Sequence, residues 1–206
     1  RKRETFALHV CELNSKTKIS NPRKFILDQH CNYYEPILPV GGYRNPGESC
    51  LDIRERTKEA SLSNGEYWIK LGSKPLKVYC DMEADGGGWT LISNFVQQTS
   101  GGIDWSLTND YRQIVQYSNN KLGLSTDALH TLGEKMPFKQ LRFFCHKKIP
   151  GRTFDIATKI NSLGHRVVQY FTAQTNTFPN SCESYYLLSD DNSTMARECA
   201  KWGYDW

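Results

Sequence analysis

Val78-Tyr79-Cys80-Asp81-Met82-Glu83-Ala84-Asp85-Gly86-Gly87-Gly88-Trp89-Thr90-Leu91-Ile92 is the stretch on which the reading turns. It joins a half-buried strand, a cysteine, an acidic turn, three glycines and a second apolar strand that opens on tryptophan. Each glycine gives up backbone entropy on folding, so three in a row mark a place where the chain needs unusual dihedrals or close backbone approach. Strands are expected over Leu76–Met82 and Trp89–Phe95, with Asp85-Gly86 at the turn between them. A strand, not a helix, follows the glycines, so they form no phosphate cradle.

Upstream, Ser49-Cys50-Leu51-Asp52 has a capping-box pattern ahead of a short charged helix, Ile53–Ala60. Asn64-Gly65 ends it, and Tyr67-Trp68-Ile69 starts a strand. Residues 1–48 are basic and broken by Pro22, Pro36, Pro39, Pro46 and Gly41-Gly42, which reads as a linker or the remnant of an upstream module. Residues 49–206 form the main domain. Downstream, residues 99–120 are polar and loop-like, and Thr126–Leu132 makes one or two helical turns. Strands resume at Gln140–His146, Thr153–Ile160 and His165–Phe171, the last two facing each other across Asn161–Gly164. The remainder, 172–206, is loop-dominated. Short strands, few helices and long loops give an α+β class with an antiparallel sheet.

The 206 residues hold one sizeable core, and no apolar run approaches the length needed to cross a bilayer. Residues 1–30 carry seven basic against three acidic side chains, an excess that already equals the net charge of +4. A neutral main body argues against nucleic-acid binding. Seven cysteines stand at 11, 31, 50, 80, 145, 182 and 199 with no C-x-x-C pair, which reads as disulfides in an oxidising, extracellular compartment rather than a zinc or redox site. Cys11 and Cys31 are placed to close a small loop. Cys182 and Cys199 join the disulfide set with partners open, and the odd cysteine points to an interchain bond, a free thiol or a partner elsewhere. Asn192-Ser193-Thr194 is a glycosylation sequon with Asn192 as acceptor.

Catalytic constellations are lacking. Cys145 and His146 are strand neighbours and point to opposite faces, so they form no nucleophile–base pair. The five histidines show no metal-ligand spacing.

Cys50, the short helix, Asn64–Ile69, Val78–Met82 and Gly86–Ile92 together resemble the start of a fibrinogen C-terminal-like domain. Lys121-Leu122-Gly123-Leu124, Ala128–Leu132 and Gln140-Leu141-Arg142 resemble the family's next block. The likeness covers residues 49–206. It implies a disulfide-stapled fold with a central twisted antiparallel sheet, a Cys50–Cys80 disulfide and Trp89 in the core; the expectation that the chain is not an enzyme rests on the missing catalytic constellations, since the fold alone would not forbid catalysis. The chain has Asn119-Asn120-Lys121 where the family commonly has Glu-Phe-Trp, and the family's closing cysteine is absent, which leaves open a chain cut short or a compact variant of the kind found in invertebrate matrix proteins.

Near the end, Asp190-Asp191-Asn192-Ser193 before Cys199-Ala200 resembles the family's calcium loop in degenerate form. Asp190 and Asp191 are the candidate Ca2+ ligands, since calcium takes six to eight hard oxygens. A glycan on Asn192 competes with that role. The family's ligand pockets lie near this loop, which makes Tyr185, Tyr186, Arg197, Trp202 and Tyr204 (with Trp206) the candidate ligand-binding residues; aromatics suit sugar faces, and also ordinary packing. The resulting expectation is a secreted recognition and adhesion module for glycans or extracellular proteins, calcium-dependent, disulfide-linked or homo-oligomeric. The alternative is a structural matrix component without a small-ligand pocket.

Overall fold

A computed structural model describes residues 38–57, 62–97, 106–194 and 198–200. Cys11, Cys31, Arg197, Trp202, Tyr204 and Trp206 lie outside the described residues. The compact unit takes in Pro39–Gly47 as well as the residues from Ser49 on, because Trp68 N–H donates to Gly41 O (2.7 Å) and Lys70 N–H to Gly47 O (2.8 Å).

Ser49 caps helix α1, Cys50–Arg56, by accepting from Asp52 N–H at 3.0 Å. The helix buries Cys50 and Ile53, and Cys50 is bonded to Cys80, Cα–Cα 5.6 Å. A 30-residue separation stabilises by roughly 3–4 kcal/mol in the chain-entropy model. Strands β1 (Gly65–Lys70), β2 (Pro75–Asp81) and β3 (Trp89–Thr90) form the first antiparallel sheet. Cys80 pairs with both Gly65 and Thr90.

Between β2 and β3 the expected two-residue turn is a 3-10 turn, Ala84–Gly86. Asp81 fastens it through one oxygen that accepts the Glu83 and Ala84 N–H groups. Gly87 has φ 74° and ψ −174°, and a Cβ there would sit 2.0 Å from Met82 O. At Gly88 (φ 88°) a Cβ would meet Leu51 Cα at 2.9 Å. The glycines therefore let the loop reverse against β2 and lie on α1. Trp89 is half-buried rather than a core residue, its indole N–H held by Ala84 O at 3.0 Å.

The expected strand Trp89–Phe95 is broken after Thr90. Its end, β4 (Asn94–Phe95), leaves for a second sheet of order β4-β6-β5, with β5 at Ser106–Thr108 and β6 at Lys121–Leu124. β5 and β6 run parallel, a departure from the antiparallel pairing expected. A 3-10 helix, Tyr111–Asn119, fills part of the span read as loop; Asp110 caps it and it buries Tyr111 and Ile114. Helix α2, Thr126–Lys135, capped by Ser125, adds Ala128, Leu129 and Leu132 to the same core as Ile53, Ile69, Val78 and Met82.

A third antiparallel sheet, β7-β8-β9, comprises Arg142–Lys147, Arg152–Thr158 and Tyr185–Leu187. The expected strand at His165–Phe171 is instead helix α3, Ser162–Phe171. Val167-Val168 and the aromatics favour strand locally. Asn161 decides otherwise: it accepts Gly164 N–H as an N-cap, and the buried positions 164, 167 and 168 follow helical spacing. The α+β class with antiparallel pairing and disulfide staples holds, with the strands divided among three small sheets.

Candidate functional site

Register places Phe143 opposite Ile156 and Cys145 opposite Phe154, so these residues share one face of the third sheet. Helix α3 lies over that face and contributes Tyr170 and Phe171, while the segment before β9 brings Phe178 and β9 itself Tyr185. Together they line a cleft of about 310 Å³. Its rings contact one another edge-on or tilted: Phe143–Phe171 at 5.2 Å and Tyr170–Phe178 at 5.1 Å between centroids.

The serine and threonine hydroxyls in the lining serve the fold. Thr158 Oγ1 accepts Leu141 N–H at 2.9 Å, Ser184 Oγ donates to Ser181 O at 2.7 Å, and Ser181 Oγ donates to Cys199 O at 2.6 Å. A Cys182–Cys199 disulfide, Cα–Cα 5.1 Å, holds this wall. Burial, then the Asp191 carboxylate, raises the Tyr185 phenol above its ordinary range and keeps it neutral. The cleft offers flat apolar surface with little competing hydrogen bonding. That suits one face of a sugar, an acetyl group or an aromatic side chain.

Behind the cleft, Arg142 joins the first and third sheets. Its Nε and Nη2 donate to the two oxygens of buried Asp155, both at 2.7 Å, and Nη1 donates to Asp81 at 2.6 Å. This is the forked geometry in which guanidinium binds carboxylate best. The hydrogen bonds to Asp155 raise the Arg142 pKa against its partial burial. Partial burial pushes the Asp81 carboxyl up, but the Ala84 and Glu83 N–H donors and Arg142 outweigh it and hold it below the usual carboxylate range. Tyr186, expected at a ligand site, instead donates to Asp85 in the glycine loop and accepts from Gln140. Of the predicted ligand residues that are described, Tyr185 lines the cleft and Tyr186 does not.

Asp191 Oδ2 accepts Asp155 N–H at 2.8 Å, and both its oxygens take the Ser193 hydroxyl. Asp190 is exposed beside it. Asn192 is exposed too, but its Oδ1 accepts Thr153 N–H at 2.7 Å and its Nδ2 donates to Gly151 O at 3.3 Å. The loop is thus an annex of β8, and its donors do not fit a calcium cage. Among the described residues, no three His, Cys, Asp or Glu side chains converge on a metal position. Cys145 and His146 sit on opposite faces, His146 against Thr153 Oγ1 at 2.9 Å and Cys145 exposed without a disulfide.

Sequence reasoning missed Arg142, Asp155, Phe143, Phe154, Tyr170, Phe171 and Phe178. The usable signal was Asn161: read as an N-cap, it makes 162–171 a helix whose aromatics face the sheet.

Residues 46–143 match the family model of the fibrinogen beta and gamma chains, C-terminal globular domain. Fibrinogen-like protein A of Apostichopus parvimensis is 35% identical over 173 residues, 75% of this chain and 60% of that protein. Angiopoietin-4 of Mus musculus is 36% identical over 98 residues, 46% of this chain and 19% of that protein. Tenascin-N of Homo sapiens is 35% identical over 107 residues, 48% of this chain and 8% of that protein. The chain therefore spans less than two thirds of each of these relatives, from 60% down to 8%. The fibrinogen-like globe domain of human ANGPTL6 overlays 55% of this chain and 48% of that one, at 19% identity and a TM-score of 0.38, an overlap too slight to argue from.

Proposed function

The chain carries a fibrinogen C-terminal-like domain, of a family whose members are structural and recognition proteins rather than enzymes, and from that premise we propose that it is an extracellular recognition module whose ligand seats in the aromatic cleft. One observation carries this reading: six aromatic rings converge around about 310 Å³ while the serine and threonine hydroxyls in the lining are spent inside the fold. Disulfides Cys50–Cys80 and Cys182–Cys199 accord with an oxidising compartment. Among the described residues no helix is long and apolar enough to cross a membrane.

Glycans are the ligand class this reading assigns, the apolar face of a sugar lying on the tilted rings. Calcium dependence ranks second in this proposal, since Asp191 would have to release Asp155 N–H and Ser193 to ligate a cation. The test is a glycan array probed with the wild type and with Phe178→Ser, an exposed rim variant, in calcium and in EDTA. Binding by the wild type in both buffers, lost in a Phe178→Ser protein of unchanged Tm, is expected. Equal binding by the two proteins would refute the cleft.

The exposed Cys145 favours a second reading, a matrix component cross-linked between chains. A dimer on non-reducing gels that Cys145→Ser abolishes would support it, and a monomer on those gels would refute it.

A further inference from the structure

The cleft face does not end at Phe154. Lys147 and Arg152 are partners in the β7–β8 ladder, and each stands two residues beyond the Cys145–Phe154 pair. With side chains alternating along a strand, they fall on the same face as Phe143, Phe154 and Ile156, about 7 Å past Phe154. Lys148 follows in the turn, and every residue from Cys145 to Arg152 is exposed. The hairpin end therefore projects beyond the core with three cations, and with Ile149 at its apex 93% exposed.

Like charges directly opposite each other on a ladder are destabilising. Here nothing in the described residues relieves them: none of Lys147, Lys148 and Arg152 forms an ion pair. Among the acids of the adjoining loop, Asp191 is turned inward to Asp155 N–H and Ser193, and exposed Asp190 bonds Ser189 at 3.4 Å. Three uncompensated cations on a narrow ribbon match a partner with charge spread along its length. A folded acidic protein would meet one face of the ribbon only.

We infer that the hairpin end is an anion subsite continuing the cleft, and that the ligand is a sulfated polysaccharide whose sugar faces lie on the rings and whose sulfates meet Lys147, Lys148 and Arg152. The inference rests on the cleft reading above and supplies its ligand class.

The test is calorimetric titration of the full chain with a heparin oligosaccharide of defined length, its desulfated counterpart and polyglutamate. The variants are Lys147→Ser/Lys148→Ser/Arg152→Ser, the single Lys148→Glu that touches no ladder position, and Arg1→Ser/Lys2→Ser/Arg3→Ser. Expected for the hairpin triple variant is at least about a tenfold weaker heparin affinity at physiological salt, with the slope of log affinity against log salt reduced by about three, as counterion release implies. Lys148→Glu weakens binding in the same direction, the leader variant binds as the wild type, and desulfated heparin binds poorly. Unchanged affinity in both hairpin variants, or a loss confined to the leader variant, would overturn the subsite. Desulfated heparin as tight as heparin would overturn the sulfate assignment, and hairpin-dependent polyglutamate binding of equal strength would make the partner an acidic protein segment instead. Failure here with Phe178→Ser still defective on the array removes the subsite and leaves the cleft standing. Hairpin-dependent heparin binding that Phe178→Ser does not weaken removes the continuity and the cleft reading together.

Discussion

The first and third sheets have the same three-strand antiparallel plan and opposite consequences. In the first, the spaces around the strands are closed: α1, the Cys50–Cys80 disulfide and the glycine loop lie on β2 and β3, and Ile69, Val78 and Cys80 are fully buried. In the third, one face of β8 is sealed by Arg142 and Asp155, and the other is roofed by α3 at a distance that leaves a cleft. The difference lies in how each sheet is covered. Glycines allow backbone to touch backbone in the first, whereas bulky rings hold the cover off in the third. Close packing identifies the fold, and the imperfect cover supplies a surface to bind with.

The harshest way to break the contrast is Gly87→Ala. Gly87 occupies backbone space that is essentially reserved for glycine, and the added methyl would collide with Met82 O at 2.0 Å. The expected cost is upward of about 4 kcal/mol or failure to fold, against almost nothing for a surface alanine. Thermal melting checks it, and a shift of only a few degrees would mean that the loop does not press on β2 as described.

Next is Arg142→Ala, which leaves Asp155 as an uncompensated buried charge. Removing one member of such a pair costs about 3–5 kcal/mol, and the low end is expected because Arg142 keeps some exposure. Adding Asp155→Asn to it should recover part of the loss in urea unfolding. A cost below about 1 kcal/mol would mean that the sheets are not tied through this residue.

The two regions were also unequally legible. Ser49, Cys50, Cys80 and the glycine run act through sequence-local rules of capping, turn chemistry and spacing, so α1, β1 and β2 could be placed within a few residues. The third sheet depends on partners far apart in the chain: Arg142 and Asp81 are separated by 61 residues, Asp155 and Asp191 by 36. No local rule reports such pairs. Strand propensity at Val167-Val168 then outweighed the N-cap at Asn161, which hid the roof of the cleft. Of the two carboxylates expected to ligate calcium, Asp191 supplies the acceptor that the Asp155 N–H needs and so anchors its loop, while Asp190 stays exposed. The family match ends at residue 143, so most of the cleft lies beyond it.

The most direct test of a closed first sheet and a binding third sheet is hydrogen–deuterium exchange of the chain with and without a saturating glycan taken from the array. The account predicts slowed exchange in 167–171 and 178–185, with no change in 84–92. Protection of the glycine loop, with none in α3 or the segment before β9, would contradict it.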